Sequence, residues 1–348
     1  MKKALHLWKT YTTAFAILFL IGGSVLGFEL RPTIMRFFYY AHNHVLKQIR
    51  EGDFGSTQYQ FINPLLACEL ATRKDIAEFI PLKDKMTTLI NTYKSQGKLT
   101  SASVYFDTRD GRWLGINQGE KYFPASLMKV PLMIAFYKKA ESDLSVLDQE
   151  VVYTGATNLN IIEYFKPKDS LVPGMSYSVD ELIKRMIVDS DNNAVSLLLP
   201  LISPKELNEI YSDIGFSIPA DTTKDLNDYT QVKSYASFFR ILYNSSYLSR
   251  EMSEKALGLL SQTNFIGGIR SSMPADITVA QKFGERDFGT TKNSTKELHD
   301  CGVIYYPNHP YLICIMTKGN DFDTLSKSIS ALSKIAYDYV DSEAKAGY

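Results

Sequence analysis

The sequence predicts an α+β fold: one antiparallel sheet built from both chain ends and flanked by helices, plus an all-helical lobe, preceded by an N-terminal transmembrane helix. Three observations carry this prediction. Strand-like segments fall in two groups, at residues 100–116 and 278–317. The residues between them, 140–260, repeat apolar positions at helical spacing. An uncharged apolar run occupies residues 11–28. Strands at both ends with helices between them join most simply as a single sheet packed on helices, with the helical middle as a second lobe across a cleft.

Taken in order, Lys2, Lys3 and Lys9 precede the apolar run. A helix over residues 11–28 rises about 27 Å, close to the thickness of a bilayer core. The run is long for the core of a signal peptide, and Val25-Leu26-Gly27 is a poor cleavage site. An uncleaved anchor is favoured over a cleaved signal. The lysines place residues 1–10 in the cytoplasm, although Arg31 and Arg36 reduce the charge asymmetry. The expectation is a single-pass cell-membrane protein with its remaining residues extracytoplasmic. Residues 29–82 read as a stalk and linker: a helix with aromatic and basic faces over 31–51, then irregular chain with Gly, Asn and Pro punctuation. The main domain is assigned to residues 83–340, and 341–348 are a tail.

Within that domain, residues 83–93 read as a helix and 100–107 as a strand. Asp110-Gly111 marks a hairpin turn into a second strand at 112–116. Pro124 opens a long helical run over 125–139. Apolar periodicity returns at 179–186, 194–199, 205–211 and 232–243. Strands follow at 278–283, 302–306 and 311–317, and a helix over 324–339 closes the chain. Hydrophobic residues make up 45% and charged residues 22%, which excludes a disordered chain. Lys+Arg and Asp+Glu are equal at 38 each, so no basic footprint for nucleic acid exists.

Three short motifs follow in chain order. The first is Ser126-Leu127-Met128-Lys129. On a helix, positions i and i+3 share a face, so the hydroxyl and the ammonium can meet. A serine needs a neighbour to take its proton, and a lysine does so only when burial or nearby positive charge lowers its pKa. A helix N-terminus also offers backbone N–H groups to an oxyanion. Ser95-Gln96-Gly97-Lys98 has the same spacing but leads into a glycine and a strand, so spacing alone decides little. The second motif, Ser190-Asp191-Asn192, lies between two apolar helices, where such residues also serve as plain caps. The third, Lys282-Phe283-Gly284, lies on a strand. A lysine there can hold a carboxylate, and a glycine admits a close backbone approach.

Together these resemble the signature set of serine β-lactamases and penicillin-binding proteins, and most closely its class A β-lactamase branch, over residues 83–340. The resemblance implies a β-lactamase/transpeptidase-like fold and a set of roles. Ser126 attacks the carbonyl, Lys129 accepts its proton, and Ser190 passes a proton to the leaving nitrogen. Asn192 positions the substrate amide, and Lys282 binds a carboxylate beside Gly284. The backbone N–H groups of Ser126 and Glu285 form the oxyanion hole. The implied partner is a β-lactam or a peptidoglycan stem peptide. No cofactor and no metal are implied.

Two departures stand out. Phe283 replaces the family's hydroxyl-bearing residue, and Glu285 adds negative charge, with Arg286 as the nearest compensation. The Glu-x-x-Leu-Asn pattern that supplies the deacylating base in class A enzymes has Thr223 ahead of Leu226-Asn227; Asp221, Asp225 and Asp228 qualify by position only. Such a base is worth about 10²–10⁴-fold. Its loss describes a penicillin-binding protein or D-Ala-D-Ala carboxypeptidase with slow release. A non-catalytic cell-surface protein that keeps the fold is a third reading, to which Phe283 adds weight. Among the bystanders, Cys301 and Cys314 are symmetric about Pro307-Asn308, which is consistent with a cross-strand disulfide and with two buried thiols. His42-x-His44 is the one pair of histidines with metal-like spacing, and a triad through His299 and Asp300 is compatible with the sequence.

Overall fold

The computed structural model describes residues 50, 59–65, 77–109, 111–217, 228–290 and 293–346. The 11–28 run, His42, His44 and the 218–227 segment containing Thr223 lie outside the described residues. No helix among those described is long and apolar enough to cross a membrane.

Nine strands are present among the described residues: β1 Ser101–Asp107, β2 Trp113–Ile116, β3 Lys121–Tyr122, β4 Glu150–Val152, β5 Ser176–Ser178, β6 Thr230–Gln231, β7 Thr278–Thr290, β8 Asn293–Tyr305 and β9 Tyr311–Gly319. Five of them form the expected sheet in the order β2-β1-β9-β8-β7, antiparallel throughout. Strand β9 joins the two chain ends, with Tyr105 opposite Cys314 and Cys301 opposite Cys314 on its other side. The short pairs β3–β6 and β4–β5 lie outside this sheet.

Side chains alternate between two cores, as strand geometry requires. Val104, Phe106, Ile313 and Ile315 face one way, onto the helices Ile80–Ser95 and Phe322–Lys345. Tyr105, Leu312, Cys314 and Met316 face the helical middle. The closing helix buries Leu325, Ile329, Leu332, Ala336 and Val340, a stripe at three- and four-residue spacing. Asp321 caps it by accepting from the Thr324 N–H at 2.7 Å. At the centre of the helical middle, the helix Lys129–Ser142 is buried from Lys129 through Tyr137. Its Pro131 sits in the first turn, where a missing N–H costs nothing.

Several boundaries differ from expectation. Strands β7 and β8 run far beyond residues 278–283 and 302–306. The charged stretch 285–287 hid this extension, and its Asp287 pairs with Lys296 across the hairpin at 2.7 Å. The helix expected over 125–139 is a 3₁₀ turn, Ala125–Met128, followed by the α-helix from Lys129. The helix Arg250–Leu260 went unread. Part of the expected linker is docked: Ile62 is buried, and the Glu254 carboxylate accepts from the N–H groups of Gln60, Phe61 and Ile62. The first helix of the domain begins at Ile80 rather than at 83. Cys301 and Cys314 are joined in a disulfide.

Candidate active site

The turn that carries Ser126 is held from three directions. Ala125 has φ +49°, a left-handed conformation that a non-glycine residue adopts at a cost of about 1–3 kcal/mol unless its surroundings enforce it. The Leu127 N–H closes the turn on Pro124 O at 3.0 Å, and buried Tyr235 donates its hydroxyl to Leu127 O at 2.8 Å. Strand β7 presses against the turn at Gly284, where an added Cβ would lie 2.7 Å from Pro124 O and 2.9 Å from Leu127 N. The glycine expected to admit a substrate backbone thus admits the turn that carries Ser126.

Lys129 follows three residues later and is almost fully buried. Its Nζ donates to Ser190 O at 2.6 Å and to Ser190 Oγ at 3.1 Å. Burial pulls its pKa down to about 8, against the pull of the Glu163, Asp191 and Glu285 carboxylates. Ser126 and Lys129 both line a cleft of about 420 Å³, together with Asn192, Glu163, Glu285 and Arg286.

Ser190 ends the π turn Arg185–Asp189 in the left-handed region, at φ 58°. The next residue, Asp191, caps the helix Asn192–Leu198 by accepting from Asn193 N at 2.7 Å. This sharp reversal aims the Ser190 hydroxyl between two lysines. Lys282 Nζ lies 2.8 Å from Ser190 Oγ and 3.1 Å from Phe283 O. Lys282 is completely buried; that burial, and next the Lys129 charge, hold its pKa well below the ordinary lysine value. Two ammonium groups cannot share one hydroxyl in a dry site without cost, so the arrangement favours loss of a proton from the pair. A neutral amine there is a base.

The three motifs therefore converge, but their members do not stand alike toward the cleft. Ser126, Lys129, Asn192 and Glu285 line it, while Lys282 lies buried behind. The Phe283 ring stacks on Phe265 at 4.2 Å and meets Phe165 edge-on, with Lys282 Nζ 4.3 Å from its centre. Arg286 pairs with Asp228 at 3.4 Å and Glu297 at 3.6 Å and lies over Phe123. The Asn192 amide donates to Glu163 Oε1, and its backbone N–H to Asn160 Oδ1 at 2.8 Å. Glu163 is the site residue that sequence reasoning missed. It sits in a loop between Ile161-Ile162 and Tyr164-Phe165, and only the folded loop brings it to the cleft.

His299 and Asp300 make no triad with Ser126. Adjacent on β8, they point to opposite faces of the sheet. His299 Nδ1 accepts from Thr317 N at 3.3 Å, which leaves Nε2 to donate to Phe123 O at 3.0 Å. Burial pulls its pKa down to about 4, so it is neutral and braces the residue before Pro124. Asp300 accepts from Ile269 N at 2.9 Å, and burial pushes its carboxyl up to about 8. Among the described residues no group of three metal-ligating side chains occurs.

The fold agrees with that of the chain's structural relatives. Residues 81–340 match the model of the beta-lactamase enzyme family. The chain belongs to that family. It is 25% identical over 268 residues to beta-lactamase AST-1 of Nocardia asteroides, across 70% of this chain and 81% of that protein. The acyl-enzyme complex of PBP-A with penicillin G superposes with a TM-score of 0.62 at 21% identity, over 78% of this chain and 100% of that one. A class A beta-lactamase from Bacteroides cellulosilyticus gives 0.63 at 20% identity, over 75% and 99%. At such identities the structural likeness fixes the β-lactamase/transpeptidase-like fold.

Proposed function

We propose that the protein is a serine hydrolase that opens β-lactam amides through an acyl-serine intermediate. The observation that carries this is the Ser190 hydroxyl, bridged between the ammonium groups of Lys129 and Lys282 behind the cleft that holds Ser126. Neutral Lys129 takes the proton as Ser126 Oγ bonds to the carbonyl carbon. The backbone N–H groups of Ser126 and Glu285 receive the oxyanion. Ser190 then gives its proton to the leaving nitrogen and regains one from a lysine, the C–N bond breaks, and the ester remains. Water releases it. Asn192 positions the substrate amide as in the family, and Lys282, buried behind the cleft, acts on the substrate only through the Ser190 hydroxyl.

A second reading, acylation with slow release as in a penicillin-binding protein, is favoured by Thr223 in place of the deacylating glutamate. The chemistry up to the ester is the same. We further propose that the 11–28 run anchors the protein with its domain outside the cytoplasm, where the Cys301–Cys314 disulfide would persist.

A fluorescent penicillin followed over time on the purified protein tests both readings. Label that forms and is lost quickly supports the hydrolase; label that persists supports slow release. Absence of label, or equal label on Ser126→Ala, removes the acyl-serine chemistry.

A further inference from the structure

We propose that Phe283, Phe265 and Phe165 form an aromatic wall on the leaving-group side of the site and select substrates whose leaving nitrogen carries an uncharged substituent; this rests on the acyl-serine reading above.

Three alternate residues of β7 build the wall, since side chains two apart on a strand share a face. The Gln281 Nε2 donates to Phe265 O at 2.8 Å, and Glu285 Oε1 accepts from the Phe165 N–H at 2.9 Å. Between these two anchors the Phe283 ring stacks on Phe265 at 4.2 Å and meets Phe165 edge-on at 5.8 Å. Phe165 and Phe265 are themselves 5.0 Å apart, so the three rings close on one another. Phe265 and Phe283 are buried, and Phe165 is half-buried. Tyr164 stands edge-on to Phe165 at 4.9 Å and is 49% exposed, which carries the wall out to solvent.

The position of the leaving group follows from Ser190, whose hydroxyl gives its proton to the leaving nitrogen. Lys282 Nζ lies 2.8 Å from that hydroxyl and 4.3 Å from the centre of the Phe283 ring. A substituent on the leaving nitrogen is therefore brought to the aromatic wall. A carboxylate there loses water to the rings and needs charged partners in exchange. The cations of the region are turned elsewhere. Lys282 is buried and directed to Ser190 Oγ and Phe283 O, and Lys129 is directed to Ser190. Among the described residues lining the cleft the other cation is Arg286, which pairs with Asp228 and Glu297 and lies over Phe123. Lys296 lies over Phe322 and pairs with Asp287. Phe283 itself brings a ring where a hydroxyl would donate. A neutral substituent keeps its contacts with the rings and leaves no charge unpaired. An internal amide or an ester meets this condition, and a terminal carboxylate does not.

Penicillin G and its methyl ester serve as the probe pair, because they differ only in the charge on the carbon next to the leaving nitrogen. Acylation of the full-length protein is followed by intact mass, and each rate is divided by the compound's rate of ring opening in hydroxide to remove intrinsic reactivity. The ester is expected to acylate at least about tenfold faster, as leaving a desolvated charge unpaired implies. Phe283→Thr restores a hydroxyl and opens the wall; it is expected to bring the ratio to about threefold or less by raising the rate with penicillin G. Phe165→Ala should move the ratio in the same direction, and thermal melts identify which variants are folded. An ester that acylates the parent no faster than penicillin G overturns this proposal alone, whatever the variants do, as does a ratio unchanged in the folded variants. Acylation of Ser126 by neither compound overturns the acyl-serine reading and this proposal with it.

Discussion

Replacing Gly284 by alanine tests how the turn that carries Ser126 is held. The new Cβ would lie 2.7 Å from Pro124 O, 2.9 Å from Leu127 N and 3.0 Å from Leu127 Cγ. Two of these three atoms are backbone, so no side-chain rotation relieves the clash. Either β7 or the turn must shift. Overpacking of this kind costs about 1–3 kcal/mol. For a domain of this size that lowers Tm by about 2–6 °C. The turn carries Ser126, and a displacement of about 1 Å at a nucleophile reduces the rate by about 10²-fold. Gly284→Ala should therefore both melt earlier and label more slowly with fluorescent penicillin. Gly119→Ala is the control, because an added Cβ there meets nothing within 4 Å. If Gly284→Ala melts and labels like the wild type, the claim that β7 clamps the turn is wrong.

Four further outcomes follow. Acylation should rise with pH through about 8, since Lys129 acts as a base only in its neutral form; Lys129→Met should slow labelling by about 10²–10⁴-fold and remove that inflection in the pH–rate profile. Burial raises the Asp300 carboxyl from 3.8 to about 8, so the folded state binds the extra proton between those values and stability falls as pH rises through that window; Asp300→Asn should flatten this decline in a series of thermal melts from pH 5 to 8. Removing the Cys301–Cys314 bridge, which closes a loop of sequence separation 13, should lower the unfolding free energy by about 2–3 kcal/mol in urea titrations and leave labelling intact. Glu254→Ala deprives three backbone N–H groups of their charged acceptor, and limited proteolysis should then cut near residues 59–65 before the rest of the domain.

How far the sequence could be read depended on how local each cause was. The β-branched and aromatic pattern of residues 100–107 is local, and it predicts β1 where the fold has it. The charged residues at 285–287 broke that pattern in β7, because the distal hairpin satisfies them by cross-strand pairing rather than by burial. The segments containing Ser126, Ser190 and Lys282 could be named in advance. The bridging of both lysines by one hydroxyl could not, since it depends on the left-handed turn at Ser190. Gly284 was noticed for a reason the fold does not share: its space is filled by the chain's own turn. Glu163 left no trace in the sequence, as its partner Glu285 is 122 residues away and the two meet only through loop packing. The strap at 59–65 was hidden for the same reason, since the N–H groups of Gln60, Phe61 and Ile62 reach Glu254 across the fold.

The most direct test is intact-mass spectrometry after a brief exposure to penicillin G, with peptide mapping of any adduct. The account predicts one penicillin per chain, on the peptide containing Ser126, and none on the Ser126→Ala protein. An adduct on any other residue, or an unmodified chain at saturating penicillin, would contradict it.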